Sequence, residues 1–396
     1  MKTCAVLGAA VCVFLLLLIS CGEKVVPKAV RSSREEARID LSDWSFGDDG
    51  PARLIGNTWE FYWKKLYAPK DFQNGGVRMQ PFLAAGGSAW NGMVINGETL
   101  PADGFATYRT VLLLPEAGRI YSFYIKNQDS AYRLWINGEP HAENGVVAES
   151  KAAYVPRRLP RQFDHYARGR ELEIIIQIAN FTHKWGGLSN NIYMGLPGQL
   201  QAFLNGRVGT ITFLSGAILI MALYHLFLFM NRRKDSASLF FFFFCLYAFI
   251  WYLFRGDYLF FRLFPAFPLG AGIRLEYFSL FGILPFFLLF IWQVYSGSIR
   301  RIFIIVPAAA GFCFMLLSLV TPVKFFSVHT LVPFYALVII SFGILLTLVV
   351  RAALRKRPGA VLSLLGCLVF FITVLYDIAA NRKIIMGNAL TPFLPA

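Results

Sequence analysis

Six long apolar segments occupy the second half of this chain and limit what it can fold into. Each is close to the roughly 20 residues that a helix needs to cross a hydrocarbon layer about 30 Å thick. Backbone amides in lipid must be hydrogen-bonded within the protein, and helices satisfy this requirement. We therefore predict an all-α transmembrane bundle. The six predicted spans are 208–230, 238–254, 273–295, 302–320, 328–350 and 360–380.

Basic residues between these segments predict the orientation of the bundle. Bacterial membrane proteins keep an excess of Lys and Arg in their cytoplasmic loops. If the first span runs inward, the cytoplasmic loops hold nine basic residues, against three in the outer loops: Arg255, Arg262 and Lys324. This bias also explains much of the net charge of +15, and the chain has no nucleic-acid-binding motif. We expect residues 22–207 to be periplasmic in a multi-pass protein of a bacterial inner membrane.

The N-terminal segment has the features of an export signal. Lys2 precedes an apolar run over residues 5–18, and small residues follow. Residues 18–22, Leu-Ile-Ser-Cys-Gly, resemble a lipobox, which predicts a signal peptide over 1–21, lipid attached to Cys21 and a linker over 22–39. The alternatives are an ordinary signal peptide and an uncleaved anchor, and all three place the next domain outside the cytoplasm.

Residues 40–203 have the pattern of a soluble all-β domain. Short β-rich runs at 108–114, 121–126, 131–136 and 171–179 are separated by turn residues, which is typical of a sandwich or jelly roll. Asn137-Gly138 predicts a tight hairpin, because both residues tolerate a positive φ. The domain contains no cysteine, so we expect packing alone to stabilise it.

Several motifs in this domain resemble a known family. Residues 107–109 (Thr-Tyr-Arg) and 131–138 (Ala-Tyr-Arg-Leu-Trp-Ile-Asn-Gly) are similar to the galactose-binding-like jelly roll that precedes the catalytic domain of family 2 glycoside hydrolases. Residues 54–63 and 180–188 are more similar to a variant found in bacterial membrane receptors. In the hydrolases this domain is an accessory module without the catalytic carboxylates, so the resemblance implies binding. We expect no catalytic residues and no enzymatic activity.

The loop that follows the last long β-run carries the best candidates for ligand contact. His183, Trp185, Asn190 and Asn191 combine an aromatic ring with amide groups, which can stack on a sugar and hydrogen-bond its hydroxyls. They predict a carbohydrate-like or other small ligand. The alternative is that Trp185 packs on the rim of the sandwich and that Gly186-Gly187 only turns the chain.

The histidines of the chain and the acidic residues of the soluble domain give no sign of a metal site or cofactor. The chain has five histidines without a ligand spacing, namely His141, His165, His183, His225 and His329. The acidic residues beside turns are expected to be solvated. They are Asp103, Glu116, Asp129, Glu139 and Glu143.

Three charged residues lie inside predicted spans, where burying a charge in lipid is costly. Arg274 and Glu276 lie at the start of the third span, and Asp377 lies near the end of the sixth. Both places are near the outer face, so we hypothesise that Arg274 pairs with Asp377. The alternative is that each side chain extends toward the lipid headgroups.

A periplasmic jelly roll followed by apolar helices resembles the seven-transmembrane receptors with diverse intracellular signalling modules. Residues 274–277, 376–378 and 390–393 are similar to polar and aromatic marks of that membrane domain. The resemblance implies a seventh helix and an output domain, whereas the tail 381–396 is too short for either. We expect a truncated receptor, or one that signals through a separate cytoplasmic output protein.

These observations predict a non-catalytic sensor that transmits ligand binding through its helices. One alternative is a lipid-anchored binding or envelope-structural protein. Under either reading we expect membrane lipids among the partners. A transporter is disfavoured, because the centres of the spans are almost entirely apolar and no internal repeat is visible.

Overall fold

A computed structural model describes residues 37–54, 57–73, 77, 79–295 and 300–381. Only the backbone is described for residues 370, 371 and 373–381. The predicted signal peptide, the lipidation site at Cys21, most of the linker and nearly all of the predicted tail therefore lie outside the described residues.

The first part of the described chain is a β domain with two main sheets. The larger sheet has the strand order β10-β9-β12-β7-β3-β4 with β1 parallel to β7, and the smaller has the order β11-β8-β13-β2. The strands are β1 (Arg38–Asp40), β2 (Ala52–Arg53), β3 (Thr58–Trp63), β4 (Phe82–Ala85), β5 (Val94–Ile95), β6 (Glu98–Thr99), β7 (Gly104–Leu113), β8 (Arg119–Ile125), β9 (Ala131–Ile136), β10 (Glu139–Asn144), β11 (Arg161–Ala167), β12 (Glu171–Asn180) and β13 (Ile192–Gly195). Strands β5 and β6 form a separate hairpin, and a short helix α1 (Pro69–Gln73) follows β3.

Alternating apolar residues build the core of this domain. Successive strand residues point to opposite faces, and Leu172, Ile174 and Ile176 of β12 are all at most 1% exposed. The predicted hairpin between β9 and β10 is present, with φ of 48° at Asn137 and 84° at Gly138. The predicted fold class, a β domain followed by a helical bundle, is confirmed.

The second part of the described chain is helical. Its helices are α2 (Pro197–Asn231), α3 (Ser236–Leu253), α4 (Leu259–Leu263), α5 (Leu269–Val294), α6 (Ile302–Val320), α7 (Val323–His329), α8 (Leu331–Leu354) and α9 (Ala360–Asn381). Within the described residues, α2, α3, α5, α6 and α8 are long and apolar enough to cross a membrane. The sixth predicted span coincides with α9.

Helix α2 joins the smaller sheet to the bundle without a break. Its 35 residues rise over about 50 Å at 1.5 Å per residue, which exceeds the thickness of the hydrocarbon core. Leu200 and Leu204, in its first turns, are buried against Tyr124 and Tyr193 of the smaller sheet. The predicted span began only at residue 208. The helix starts earlier, at Pro197, and its first turns include polar residues such as Gln199, Asn205 and Arg207, which do not continue the apolar pattern.

A candidate ligand site between the β domain and the helices

A cavity of about 510 Å³ lies between the β domain and the helical bundle. This volume is within the range of small-molecule binding sites. Helices α3, α5, α7 and α8 and the α3–α4 connection form one wall. Loops of the β domain form the other wall, which consists of Lys126, Asp129, Arg158, His183, Lys184, Trp185 and Asn190.

Arg158 connects the two walls of this cavity through ion pairs. Its Nε lies 2.7 Å from Asp129 Oδ1 in the β domain, and its Nη1 lies 2.6 Å from Glu276 Oε2 in α5. The side chains of Arg158 and Glu276 are only 7% and 8% exposed. The guanidinium also lies 5.0 Å from the centre of the Tyr258 ring. A desolvated chain of charges therefore joins the β domain to a membrane-spanning helix.

The environment of Asp129 corrects an expectation from the sequence. Asp129 was expected to be solvated, but its side chain is only 14% exposed and is paired with Arg158. Burial alone would raise the pKa of this carboxyl group, but the charge of Arg158 and hydrogen bonds from Arg158 and Asn127 hold the pKa well below its ordinary value. Asp129 is therefore ionised at neutral pH. The polar segment around it resembles a surface turn in sequence, yet Lys126, Asn127 and Gln128 are also buried.

The cavity lining carries an excess of positive charge. Four basic side chains, Lys126, Arg158, Lys184 and Arg255, face two acidic ones, Asp129 and Glu276. Burial lowers the pKa of Lys126 to about 8, so this amine is still largely protonated at pH 7. Burial also lowers the pKa of His183, which therefore adds little charge at that pH. Such a lining favours a negatively charged ligand.

Three of the four predicted ligand residues line this cavity. They are His183, Trp185 and Asn190, whereas Asn191 does not line it and instead donates a hydrogen bond from Nδ2 to the hydroxyl of Tyr193, at 2.7 Å. Asn190 Nδ2 donates to the carbonyl oxygen of Asn127 at 2.6 Å, which ties the two cavity loops together. The Trp185 side chain is half exposed, so it is accessible for stacking on a ligand.

Gly186 and Gly187 hold the cavity loop against a buried tryptophan. A Cβ atom on Gly186 would lie 2.4 Å from Trp90 Cε2, and Gly187 has a φ of 113°, which disfavours side chains. Trp90 is fully buried and its Nε1 donates to the carbonyl oxygen of Pro101. The glycine pair therefore does more than turn the chain, because it allows the loop to approach Trp90 closely.

Arg274 contacts the end of a neighbouring helix. Its Nη1 donates hydrogen bonds to the carbonyl oxygens of Ser318, Leu319 and Thr321, at distances of 2.7 to 2.9 Å. These carbonyls belong to the C-terminal end of α6, where a cation stabilises the helix dipole. The Asp377 side chain lies outside the described residues, so its pairing with Arg274 remains a prediction.

Two further groups of polar contacts cross the junction near the cavity. Asp257, in the connection between α3 and α4, accepts a hydrogen bond from the Tyr124 hydroxyl at 2.9 Å and pairs with Arg207 at 3.0 Å. Lys324 of α7 pairs with Asp103 of the β domain at 2.7 Å. Together with Arg158, these contacts attach the β domain to the bundle on several sides.

Comparison with solved structures finds partial matches to bacterial enzymes. The GH2 beta-galacturonidase of Eisenbergiella tayi is 13% identical, with a TM-score of 0.26 over 37% of this chain and 24% of that chain. The beta-glucuronidase of Ruminococcus gnavus in complex with D-glucuronic acid is also 13% identical, with a TM-score of 0.28 over 36% and 29%. This chain thus spans less than a third of the length of either enzyme.

A family model identifies the helical part of the chain. No curated protein matches the sequence. Residues 209–395 match the model for 7TM diverse intracellular signalling, a family of multi-pass membrane receptors. The β domain lies on the periplasmic side, as the sequence predicted. Residues 209–395 of this membrane protein therefore form a membrane domain of the 7TM diverse intracellular signalling family.

Proposed function

We propose that this protein is a sensor whose ligand occupies the cavity between the β domain and the helices. The observation that carries the proposal is that residues of both domains line one cavity of about 510 Å³. The receptor family of the membrane domain supports signalling without catalysis in this chain. Binding would change how the β domain fits against α5, α7 and α8, and thereby the packing of the bundle.

The position of the cavity provides a physical basis for such coupling. A ligand shifts an equilibrium between two conformations only if it binds one of them more tightly. Because the lining is divided between the two domains, a movement of either domain changes the contacts that the ligand can make. A site enclosed within the β domain alone would lack this property.

The lining also indicates the class of ligand. The excess of basic groups favours a carboxylate or another small anion, and Asn190 supplies a polar group for hydroxyls. Aromatic side chains from both walls, including Trp185, Trp251 and Tyr335, offer surfaces for stacking. We therefore propose an acidic carbohydrate-like ligand.

The first test compares an acidic sugar with its neutral analogue. Full-length protein in lipid nanodiscs should bind galacturonate more tightly than galactose in isothermal titration calorimetry. Replacing Lys126 with glutamine should weaken galacturonate binding by about tenfold to a hundredfold, because a hydrogen bond to a charged group contributes roughly 1.5–3 kcal/mol.

Lys65→Gln is the matched control, because Lys65 is exposed and does not line the cavity. This variant should bind galacturonate like the unaltered protein. Equal affinity for both sugars, or no effect of Lys126→Gln, would contradict the proposed ligand class. Failure to bind either sugar would favour an envelope-structural role.

Binding of galacturonate should also depend on pH. Lys126 has a pKa of about 8, so its charge is present below that pH and is lost as the pH rises through it. The carboxylate of the ligand stays ionised throughout this range, so affinity should fall between pH 7 and pH 9. Lys126→Gln should give a nearly flat profile in the same titration, and an equally steep profile for this variant would assign the dependence to another group.

A further inference from the structure

Two histidines from different sheets meet at one edge of the β sandwich. His141 lies on β10, an edge strand of the larger sheet, and His165 lies on β11, an edge strand of the smaller sheet. His141 Nε2 and His165 Nδ1 are 2.9 Å apart. Glu139 lies near both, and the candidate ligand atoms of the three residues all fall within 4.8 Å of one another.

A β-bulge accounts for the direction of the His141 ring. Pro140 pairs with Trp135 and Ala142 pairs with Leu134, so His141 has no partner residue on β9. An extra residue of this kind bends the strand and changes the direction of its side chain. The bulge therefore directs the His141 ring toward His165.

The two imidazole rings are held by packing, and the neighbouring carboxylate is open to solvent. The His141 ring is stacked on Phe163, with centroids 5.0 Å apart and an angle of 20° between the planes. His165 is only 7% exposed, whereas Glu139 is exposed. The imidazoles are therefore held by packing, and a solvated ion can approach from the side of the carboxylate.

We propose that Glu139, His141 and His165 bind a divalent transition-metal ion such as Zn²⁺. Two imidazoles and one carboxylate are a usual ligand set for zinc, with water in the fourth position. With Zn–N bonds of about 2.0–2.1 Å, tetrahedral geometry places two nitrogens about 3.3 Å apart, so the rings would separate by roughly 0.4 Å. The bound ion would connect β10 to β11, which belong to different sheets and do not pair with each other in the described part of the chain.

The sequence led to the opposite expectation. The two histidines are 24 residues apart and lie in no recognised ligand motif, so no metal site was expected from the sequence. The pairing of strands within each sheet does not reveal which edge strands of the two sheets face each other. Only the three-dimensional arrangement brings these histidines together.

Zinc titration of the full-length protein tests the proposal. Protein purified through a tag without histidines should be stripped of metal with a chelator and titrated with Zn²⁺ by calorimetry. We expect one Zn²⁺ site per chain. His141→Ala or His165→Ala should each reduce the affinity for Zn²⁺ by about tenfold or more, because each removes one of the three ligands. Co²⁺ should give the visible absorption of a tetrahedral complex in the unaltered protein.

Two further variants keep the result interpretable. Glu139→Gln changes an exposed side chain that should not affect folding, and it should weaken Zn²⁺ binding. His329→Ala removes an exposed histidine outside the cluster and should leave binding unchanged. Absence of a stoichiometric site, or equal affinity in Glu139→Gln and His165→Ala compared with the unaltered protein, would overturn the proposal.

Discussion

Replacing Arg158 with alanine is expected to destabilise the protein by about 3–5 kcal/mol, because it removes the close ion-pair partner of two buried carboxylates. Glu276 then keeps only the more distant Arg255, at 3.9 Å. Asp129 and Glu276 are 14% and 8% exposed, and both lie within 2.7 Å of the guanidinium. Neither carboxylate is solvated well enough to tolerate the loss. Thermal unfolding in detergent, followed by tryptophan fluorescence, measures the effect.

Two comparisons identify the cause of this destabilisation. Arg133→Ala removes an exposed ion pair with Glu143, and such pairs contribute only about 0–1 kcal/mol. Adding Asp129→Asn and Glu276→Gln to Arg158→Ala removes the uncompensated charges and should restore part of the stability. If Arg158→Ala unfolds like Arg133→Ala, the ion pairs do not hold the junction together.

Replacing Trp90 with alanine should also cost about 3–5 kcal/mol, as is usual for large-to-small changes in a core. Trp90 is fully buried and packs against Gly186 and Gly187. Its loss should lower the unfolding temperature of the β domain and weaken galacturonate binding, because the cavity loop loses its support.

Trp185→Ala separates the effect on folding from the effect on binding. Trp185 is half exposed and lines the cavity, so its replacement should reduce binding with little change in unfolding temperature. Equal stabilities of the two variants would contradict the role assigned to Trp90.

The fold class was predictable from the sequence because it depends on local patterns. Apolar length predicted the membrane helices, and Asn137-Gly138 predicted a hairpin that the structure contains. The start of α2 at Pro197 was missed, because its first turns mix the apolar residues that contact the smaller sheet with polar ones such as Gln199, Asn205 and Arg207. Local patterns therefore located the elements better than their ends.

The site was only partly predictable, since its two walls are distant in sequence. The loop with His183 and Trp185 was recognisable from its aromatic and amide residues. The ion pair between Arg158 and Glu276 joins residues 118 positions apart, and no spacing rule connects a loop of the β domain with a membrane helix. The solvated environment expected for Asp129 was wrong for a similar reason, because its ion-pair partner Arg158 lies 29 positions away in another loop.

Hydrogen–deuterium exchange tests the central claim most directly, namely that one ligand contacts both domains. Full-length protein in nanodiscs should be compared without ligand, with galactose and with galacturonate. Galacturonate should slow exchange in loops 126–130 and 183–190 of the β domain and also at the start of α5 and in α7, while galactose should have little effect. Protection confined to the β domain, or none with galacturonate, would contradict a ligand site shared between the β domain and the membrane helices.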